Sequence, residues 1–175
     1  MGDEEVEVAD GGPAQGAGLR DAVEIEGEPY WDGGYTGNPP IFPLLRGTRS
    51  PDLLVVQINP VLRPSTPQTS QQIVNRINEI SFNSSLMREM RAISFVTDLI
   101  DEGKLASNQY KRINVHWIEA EKQMRGLGVS SKLNARMDFL LHLKEIGRQV
   151  AGQWIATHFD AVGQRSTIDI KEMFL

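Results

Sequence analysis

Cysteine is absent from this 175-residue chain, which excludes disulfide bonds and metal sites built on thiolates. Its three histidines, His116, His142 and His158, lie far apart and form no His-x-x-x-His pair, so we expect no zinc site. No hydrophobic run approaches the ~20 residues that a membrane-spanning helix needs. These absences predict a protein without a bound metal or another cofactor.

Charge is distributed unevenly along the chain. Residues 1–32 contain ten acidic residues and one basic residue, and because the whole chain has a net charge of −5, residues 33–175 carry +4. The basic residues are scattered, so nothing indicates nucleic-acid binding. The acidic start, Met1–Val6, matches neither a signal peptide nor a myristoylation site. We expect a cytoplasmic protein whose basic body is either an ordinary solvated surface or a peripheral contact with anionic membranes.

The chain is predicted to be an acidic tail followed by one α/β domain. Residues 1–21 have too few apolar side chains to offset the entropy of ordering, which predicts disorder. Alternating residues over 22–30 predict a hairpin, and a short helical turn is expected near Ile41–Leu45. The apolar run Leu53–Ile58 predicts a strand buried on both faces, as in a parallel sheet. A second strand is predicted over Ile113–Ile118.

Apolar residues at helical spacing predict two long helical regions. The first begins with Thr66 as N-cap and Pro67 as first helical residue, and it ends at Gly103. Within it, the residues Asn83-Ser84-Ser85 either break the helix or kink it. The second region, Met137–His158, places an apolar face toward the core: Leu140, Leu143, Gly147, Val150 and Trp154. Strands interleaved with long helices indicate an α/β fold class.

Asp32 is the first candidate for chemistry. Because two glycines follow it, no neighbouring side chain blocks its carboxylate, and glycine permits backbone angles that other residues avoid. The triplet alone is far more often a tight turn. Here it lies inside a longer pattern, Val23-Glu24-Ile25-x-Gly27-x-x-Tyr30-Trp31-Asp32-Gly33-Gly34-Tyr35-x-Gly37-Asn38-Pro39-Pro40.

This block resembles the aspartate block of bacterial patatin-like phospholipases. Further blocks that are similar to the family follow in the same order: Val55–Pro60, Asn78–Asn83, Arg91–Val96, Ser131–Asn134 and Phe139-Leu140. The resemblance covers about Ala22 to Leu175. It implies that residues 22–175 are the C-terminal portion of a patatin-like domain, a three-layer α/β fold with few strands and long amphipathic helices.

The resemblance implies that Asp32 is the catalytic aspartate of a serine–aspartate dyad. In that family the serine lies on a Gly-x-Ser-x-Gly elbow before the aspartate block, and a glycine-rich loop binds the oxyanion. This sequence has no such elbow. Ser130 follows a glycine two residues earlier, but Lys132 stands in place of the second glycine, so we expect Ser130 to be a residue near the last helix. Gly16–Arg20 is only faintly similar to an oxyanion loop.

The histidines and tryptophans have simpler interpretations. His116 and His142 are expected to be structural, because the family's dyad uses no histidine. Trp117 and Trp154 are expected in the core, and Trp31 either packs there or lines the approach to Asp32.

Three functions stay open from the sequence. In the first, the chain is the aspartate-bearing part of a lipid acyl hydrolase and is inactive until a complementing N-terminal fragment supplies the serine. In the second, it is a non-catalytic remnant that binds lipid or a partner protein. In the third, it is a truncated product without its own function. Because the covering N-terminal half is missing, we expect strand edges and apolar surface to be left open.

Overall fold

A computed structural model describes residues 22–30, 32–35, 37–58, 61, 65–106, 108–124, 127, 131 and 134–175. These residues divide into two compact units, and the smaller one is an antiparallel hairpin. Its strands are β1 (Val23–Ile25) and β2 (Glu28–Tyr30), joined by a turn in which Glu26 and Gly27 both have positive φ. The predicted hairpin is therefore confirmed, whereas the predicted disorder of residues 1–21 lies outside the described residues.

The larger unit, from Asp32 onward, is a mixed α/β assembly. Its elements in chain order are α1 (Ile41–Gly47), β3 (Asp52–Gln57), α2 (Ser70–Asp101), β4 (Asn114–Glu119), α3 (Glu121–Met124), α4 (Met137–His158) and α5 (Ile170–Phe174). Over the described ranges the chain thus has two small sheets and five α-helices, which confirms the predicted α/β class.

Strands β3 and β4 form a parallel pair in which Leu53 lies beside Val115 and Val55 beside Trp117. A parallel pair needs a crossover connection, and the long helix α2 is part of that crossover. The inner face of the pair packs against α2 and α5, and the Trp117 ring meets the Phe174 ring edge-on at 5.4 Å. The core is made of Ile41, Leu53, Val55, Leu86, Met90, Ile93, Ile113, Val115, Trp117 and Phe174.

The outer face of the pair is covered over β4 only. His116 is buried there, and its ring lies 5.9 Å from the ring of Trp154 on α4. On β3, Leu54 is 49% exposed and Val56 is 64% exposed. The prediction that β3 is buried on both faces is therefore wrong for this chain, because no described element packs over the outer face of β3.

Helix α2 is one continuous helix of 32 residues, and Asn83-Ser84-Ser85 does not break it. It begins three residues later than predicted, because Thr69 and Gln72 form a capping box. The Thr69 hydroxyl accepts the Gln72 N–H at 3.3 Å, and the Gln72 side chain accepts the Thr69 N–H at 3.2 Å. The helix ends before Gly103, whose φ of 71° confirms the predicted stop.

Helix α4 runs from Met137 to His158, as predicted, but it buries little of its apolar face. Only Ile146 is buried, while Leu140 is exposed and Trp154 is half-buried. The reason is that, among the described elements, α4 packs mainly on β4 and on the turn that follows α4, so most of its apolar stripe meets no partner there. Among the described helices, none combines the length and the apolar character needed to cross a bilayer.

Candidate functional site

Asp32 begins a tightly folded loop. A 3-10 turn over Gly33–Tyr35 follows it, and the Gly37 N–H donates to the Gly33 carbonyl at 3.1 Å. The Asp32 side chain is exposed, and its Oδ1 accepts the Gly34 N–H at 2.8 Å. Because one oxygen is held by the backbone, the carboxylate has a defined orientation. Its second oxygen accepts no hydrogen bond from the residues that the structure describes.

The two glycines after Asp32 have different roles. Neither has a positive φ, so the unusual backbone angles that glycine permits are not adopted at these two positions. A Cβ at Gly34 would lie 3.1 Å from Asp32 Oδ1 and 3.6 Å from a ring carbon of Phe82, whereas a Cβ at Gly33 would meet nothing within 4 Å. A side chain at Gly34 would therefore make the carboxylate shift by a few tenths of an ångström, whereas its contact with Phe82 of α2 would be an ordinary one.

The loop is anchored to α2 by a reciprocal pair of hydrogen bonds. The Ser85 hydroxyl accepts the Asn38 N–H at 2.9 Å and donates to the Asn38 carbonyl at 3.1 Å. Ser85 is buried in the middle of the helix. Since both backbone groups of Asn38 use the same hydroxyl, the loop that begins at Asp32 is held against one point of α2.

The same turn of α2 also contacts the end of β3. Asn83 is buried, and its side-chain oxygen accepts the Gln57 side-chain N–H at 3.1 Å. Asn83 and Ser85 were not predicted as site residues. The signal was present, since polar residues on the buried side of a helix need partners, but Asn83-Ser84-Ser85 was interpreted as either a break or a kink of the helix. Together they place the Asp32 loop and the C-terminal end of β3 on the same stretch of α2.

A nucleophile for Asp32 is missing from the described residues. No serine or threonine hydroxyl among them hydrogen-bonds the Asp32 carboxylate. The sequence positions that were weighed for the missing parts, Ser130 and Gly16–Arg20, lie outside the described residues, as does Trp31. The geometry therefore provides one positioned carboxylate and no complete dyad.

A second titratable group lies at the other end of the sheet. Asp52 Oδ1 accepts hydrogen bonds from His116 Nε2 at 2.9 Å, the Gly163 N–H at 2.9 Å and the Asn114 side chain at 3.2 Å. The His116 hydrogen bond, opposed by burial and aided by the other two donors, holds the pKa of Asp52 below its ordinary value of 3.8. This network ties the segment after α4 to the sheet, in keeping with the interpretation of His116 as structural.

Two buried polar atoms near this network have no protein partner among the described residues. They are Nδ1 of His116 and Nε1 of Trp154, whose rings meet edge-on. In a neutral imidazole whose Nε2 donates to Asp52, Nδ1 is an acceptor, and the indole N–H is a donor. Trp117 is in the core, as predicted, whereas the prediction for Trp154 is wrong, because its half-buried ring packs on His116 outside the core; His142 is exposed on α4.

Among the described residues, the Asp32 carboxylate takes part in no metal site. A depression of about 300 Å³ lies beyond the C-terminal end of β4, between α3 and α4, and it is lined by Glu119, Glu121, Lys122, Gln123, Val150 and Gln153. None of these residues belongs to the Asp32 loop. Across the part of the chain that is described, no three acidic or histidine side chains come together as a metal site.

Comparison of the chain with protein-family models, with curated protein sequences and with solved structures finds no match.

Proposed function

We propose that this chain is the aspartate-bearing part of a patatin-like lipid acyl hydrolase, acting on ester bonds of phospholipids or related acyl lipids. The observation that carries the proposal is the exposed Asp32 carboxylate, one oxygen of which is held at 2.8 Å by the Gly34 N–H. A carboxylate fixed in this way, with a second oxygen facing solvent, has the geometry that a general base requires.

The loop geometry supports the same proposal. Gly34 lies so close to Asp32 and Phe82 that a side chain there would crowd the carboxylate, and Ser85 fixes the loop to α2. Orientation by a rigid element is what distinguishes a working base from an ordinary surface acid. The resemblance of the surrounding block to the patatin-like family supplies the reaction class.

In the proposed reaction Asp32 accepts the proton of a serine hydroxyl as the serine oxygen attacks the ester carbonyl. The alcohol leaves with that proton, and water then releases the fatty acid by the same base. The serine and the backbone donors for the oxyanion come from a complementing N-terminal fragment. We therefore expect the chain alone to hydrolyse esters no faster than buffer.

The test is complementation. The chain is co-expressed with the N-terminal half of a patatin-like phospholipase that carries Gly-x-Ser-x-Gly, and hydrolysis of a p-nitrophenyl ester is measured. Reconstituted activity should fall by about 10²–10⁴-fold in Asp32→Asn. The control is Asp160→Asn, which changes another exposed aspartate of the same unit. Equal activity of Asp32→Asn and the unmodified pair would refute the role of Asp32.

Two further outcomes concern the nucleophile. Ester turnover by the chain alone that persists without any serine, but disappears in Asp32→Ala, would refute the dyad. Turnover by the chain alone that disappears in Ser130→Ala would show that Ser130 is the nucleophile after all.

The glycines give a positioning test within the reconstituted pair. We expect Gly34→Ala to lower kcat because its Cβ would displace the Asp32 carboxylate, whereas Gly33→Ala should leave kcat nearly unchanged because it meets open space. Unchanged folding of both variants, measured by circular dichroism, separates a displaced carboxylate from a general loss of structure.

A second candidate, a non-catalytic remnant that binds lipid or a partner protein, is favoured by the exposed apolar surface. Large apolar side chains are exposed on β3, α2 and α4, including Ile77, Phe95, Leu141 and Ile155. Exposed apolar patches of this kind mark contacts with proteins or membranes. Flotation with anionic phospholipid vesicles, unaffected by Asp32→Asn, would support this candidate over the enzyme fragment.

A further inference from the structure

The two edges of the β3–β4 pair differ in whether their outward backbone groups have hydrogen-bond partners. Along β4, the outward backbone groups have partners: the Ser166 hydroxyl accepts the Val115 N–H at 3.0 Å, and the Thr167 N–H donates to the Val115 carbonyl at 3.0 Å. The Thr167 hydroxyl also accepts the Trp117 N–H. The edge of β4 is therefore closed by a short segment of the same chain.

The outward edge of β3 has no such cover from the residues that the structure describes. The Asn114 N–H donates to the Pro51 carbonyl, so the parallel register directs the backbone of Leu53 and Val55 toward β4 and that of Leu54 and Val56 away from it. Within the described residues no strand pairs with that outward edge. The Ser50 hydroxyl accepts the Asp52 N–H at 3.1 Å and so caps the beginning of the edge.

What stays open is a short apolar segment. Leu54, Val56 and Ile58 present their backbone groups outward, and their side chains are 49%, 64% and 67% exposed. Residues 53–58 contain no charged side chain. Such an uncharged edge has none of the features that keep natural strands from pairing with another chain.

We propose that this edge, where no complementing fragment occupies it, pairs with the same edge of a second copy of the chain, forming a two-fold dimer, a property that goes beyond the proposed catalytic role. The strands run antiparallel with Val56 on the axis, so Leu54 of one copy lies opposite Ile58 of the other. This register joins the open backbone groups through about six hydrogen bonds. The two sheets become one four-stranded sheet, and the edge of β3 disappears.

The symmetry of the β3 edge favours a second copy of the chain as its partner. A two-fold interface requires one surface that is complementary to itself, and three alternating apolar residues centred on a valine meet that requirement. A single strand pair buries less than the ~800 Å² that each partner of a stable complex contributes. Pairing of the two edges also brings Leu54 and Val56 of both copies side by side on the outer face, where these side chains bury apolar surface against each other.

Because the chain has no cysteine, single cysteines test the register directly. Opposite residues of a hydrogen-bonded antiparallel pair have Cα atoms ~5.5 Å apart, within the range of a disulfide. Val56→Cys should form a covalent dimer on mild oxidation, and Leu54→Cys should not. A mixture of Leu54→Cys and Ile58→Cys chains should form the mixed disulfide. Electrophoresis without reductant measures all three.

Sedimentation of the unmodified full-length chain gives the second measurement. Val56→Lys should weaken dimerisation at least tenfold, because it places two like charges on the axis. Val23→Lys is the matched control, since Val23 is a strand valine of equal exposure, 63% against 64%. A monomer at all concentrations, equal cross-linking of Leu54→Cys and Val56→Cys, or an edge that pairs only when a different polypeptide is added would each overturn the dimer.

Discussion

The two faces of the β3–β4 pair differ more than the sequence of the strands suggests. On the inner face, Val55 and Trp117 lie in a core completed by α2 and α5. On the outer face, Leu54 and Val56 are as apolar as their neighbours and yet are exposed, and a polar network around Asp52 and His116 takes the place of packed side chains. An apolar side chain in a strand therefore does not by itself show that the residue is buried. Whether it is buried depends on which other elements of the chain pack over that face.

The largest expected effect is in the inner core. Met90 is fully buried on α2, so Met90→Ala should lower the free energy of unfolding by about 2–5 kcal/mol. Met137 is 68% exposed at the start of α4, so Met137→Ala should change it by less than about 0.5 kcal/mol. Urea denaturation of both variants measures the difference. Equal losses would mean that the outer side of the molecule is packed as well as the inner side.

The sharpest comparison uses adjacent residues of one strand. Val55→Thr places a hydroxyl in the inner core and should cost about 1–3 kcal/mol, since the hydroxyl has no evident partner there. Val56→Thr makes the same change on the exposed outer face and should be close to neutral in the monomer. Thermal unfolding under dilute conditions is the measurement. A larger loss at Val56 than at Val55 would show that the two faces are assigned wrongly.

The sequence predicted elements better than it predicted their surroundings. The bounds of α4, the two parallel strands and the hairpin follow from local periodicity, which acts within a few residues. Burial of β3 did not follow, because it depends on which distant element packs over the strand. The start of α2 was misplaced because two capping signals lie three residues apart, and only the second is completed by a reciprocal bond from Gln72.

The candidate site shows the same division. Asp32 could be selected from the local Asp-Gly-Gly pattern and the block around it. The Ser85–Asn38 anchor could not, because its partners are 47 residues apart in the chain. Likewise, the partnership of Asp52 with His116 joins two strands whose pairing the sequence does not specify. Long-range polar contacts leave no periodic trace, so their residues are found only when the fold is known.

The polar network of the outer face makes stability depend on acidity. The pKa of Asp52 is lowered in the folded chain, chiefly by the His116 hydrogen bond, so the unfolded chain binds the proton more tightly. Its stabilising contribution is complete above the unfolded pKa of 3.8 and is lost as pH falls through the lower folded pKa. We expect Asp52→Asn to cost about 1–3 kcal/mol at pH 7 and progressively less below pH ~4.

Urea denaturation of Asp52→Asn and of the unmodified chain at pH 7, 5 and 3 measures this dependence. The control is Asp160→Asn, because Asp160 lies on the exposed turn after α4 and is not part of the network. A difference between the Asp52 variant and the unmodified chain that stays constant down to pH 3 would contradict the assignment of the titration to Asp52.

The smallest expected effect comes from two neighbouring serines of α2, of which Ser85 bonds the Asp32 loop and Ser84 bonds only its own helix. Ser85→Ala removes the hydroxyl that serves both backbone groups of Asn38, and we expect a loss of about 1 kcal/mol, because the loop can recover part of its hydrogen bonding from water. Its neighbour Ser84 bonds only the Ser81 carbonyl of its own helix. Ser84→Ala should therefore be neutral or slightly stabilising, since alanine is the better helix former.

Hydrogen exchange at Gly34 and Asn38 is the measurement that decides, because the Ser85 bonds protect this loop and the Ser84 bond does not. Faster exchange of these amides in Ser85→Ala alone would show that α2 holds the Asp32 loop in place through the single hydroxyl of Ser85. Unchanged exchange in both variants would mean that Gly34 and the turn of the loop hold the carboxylate without help from α2.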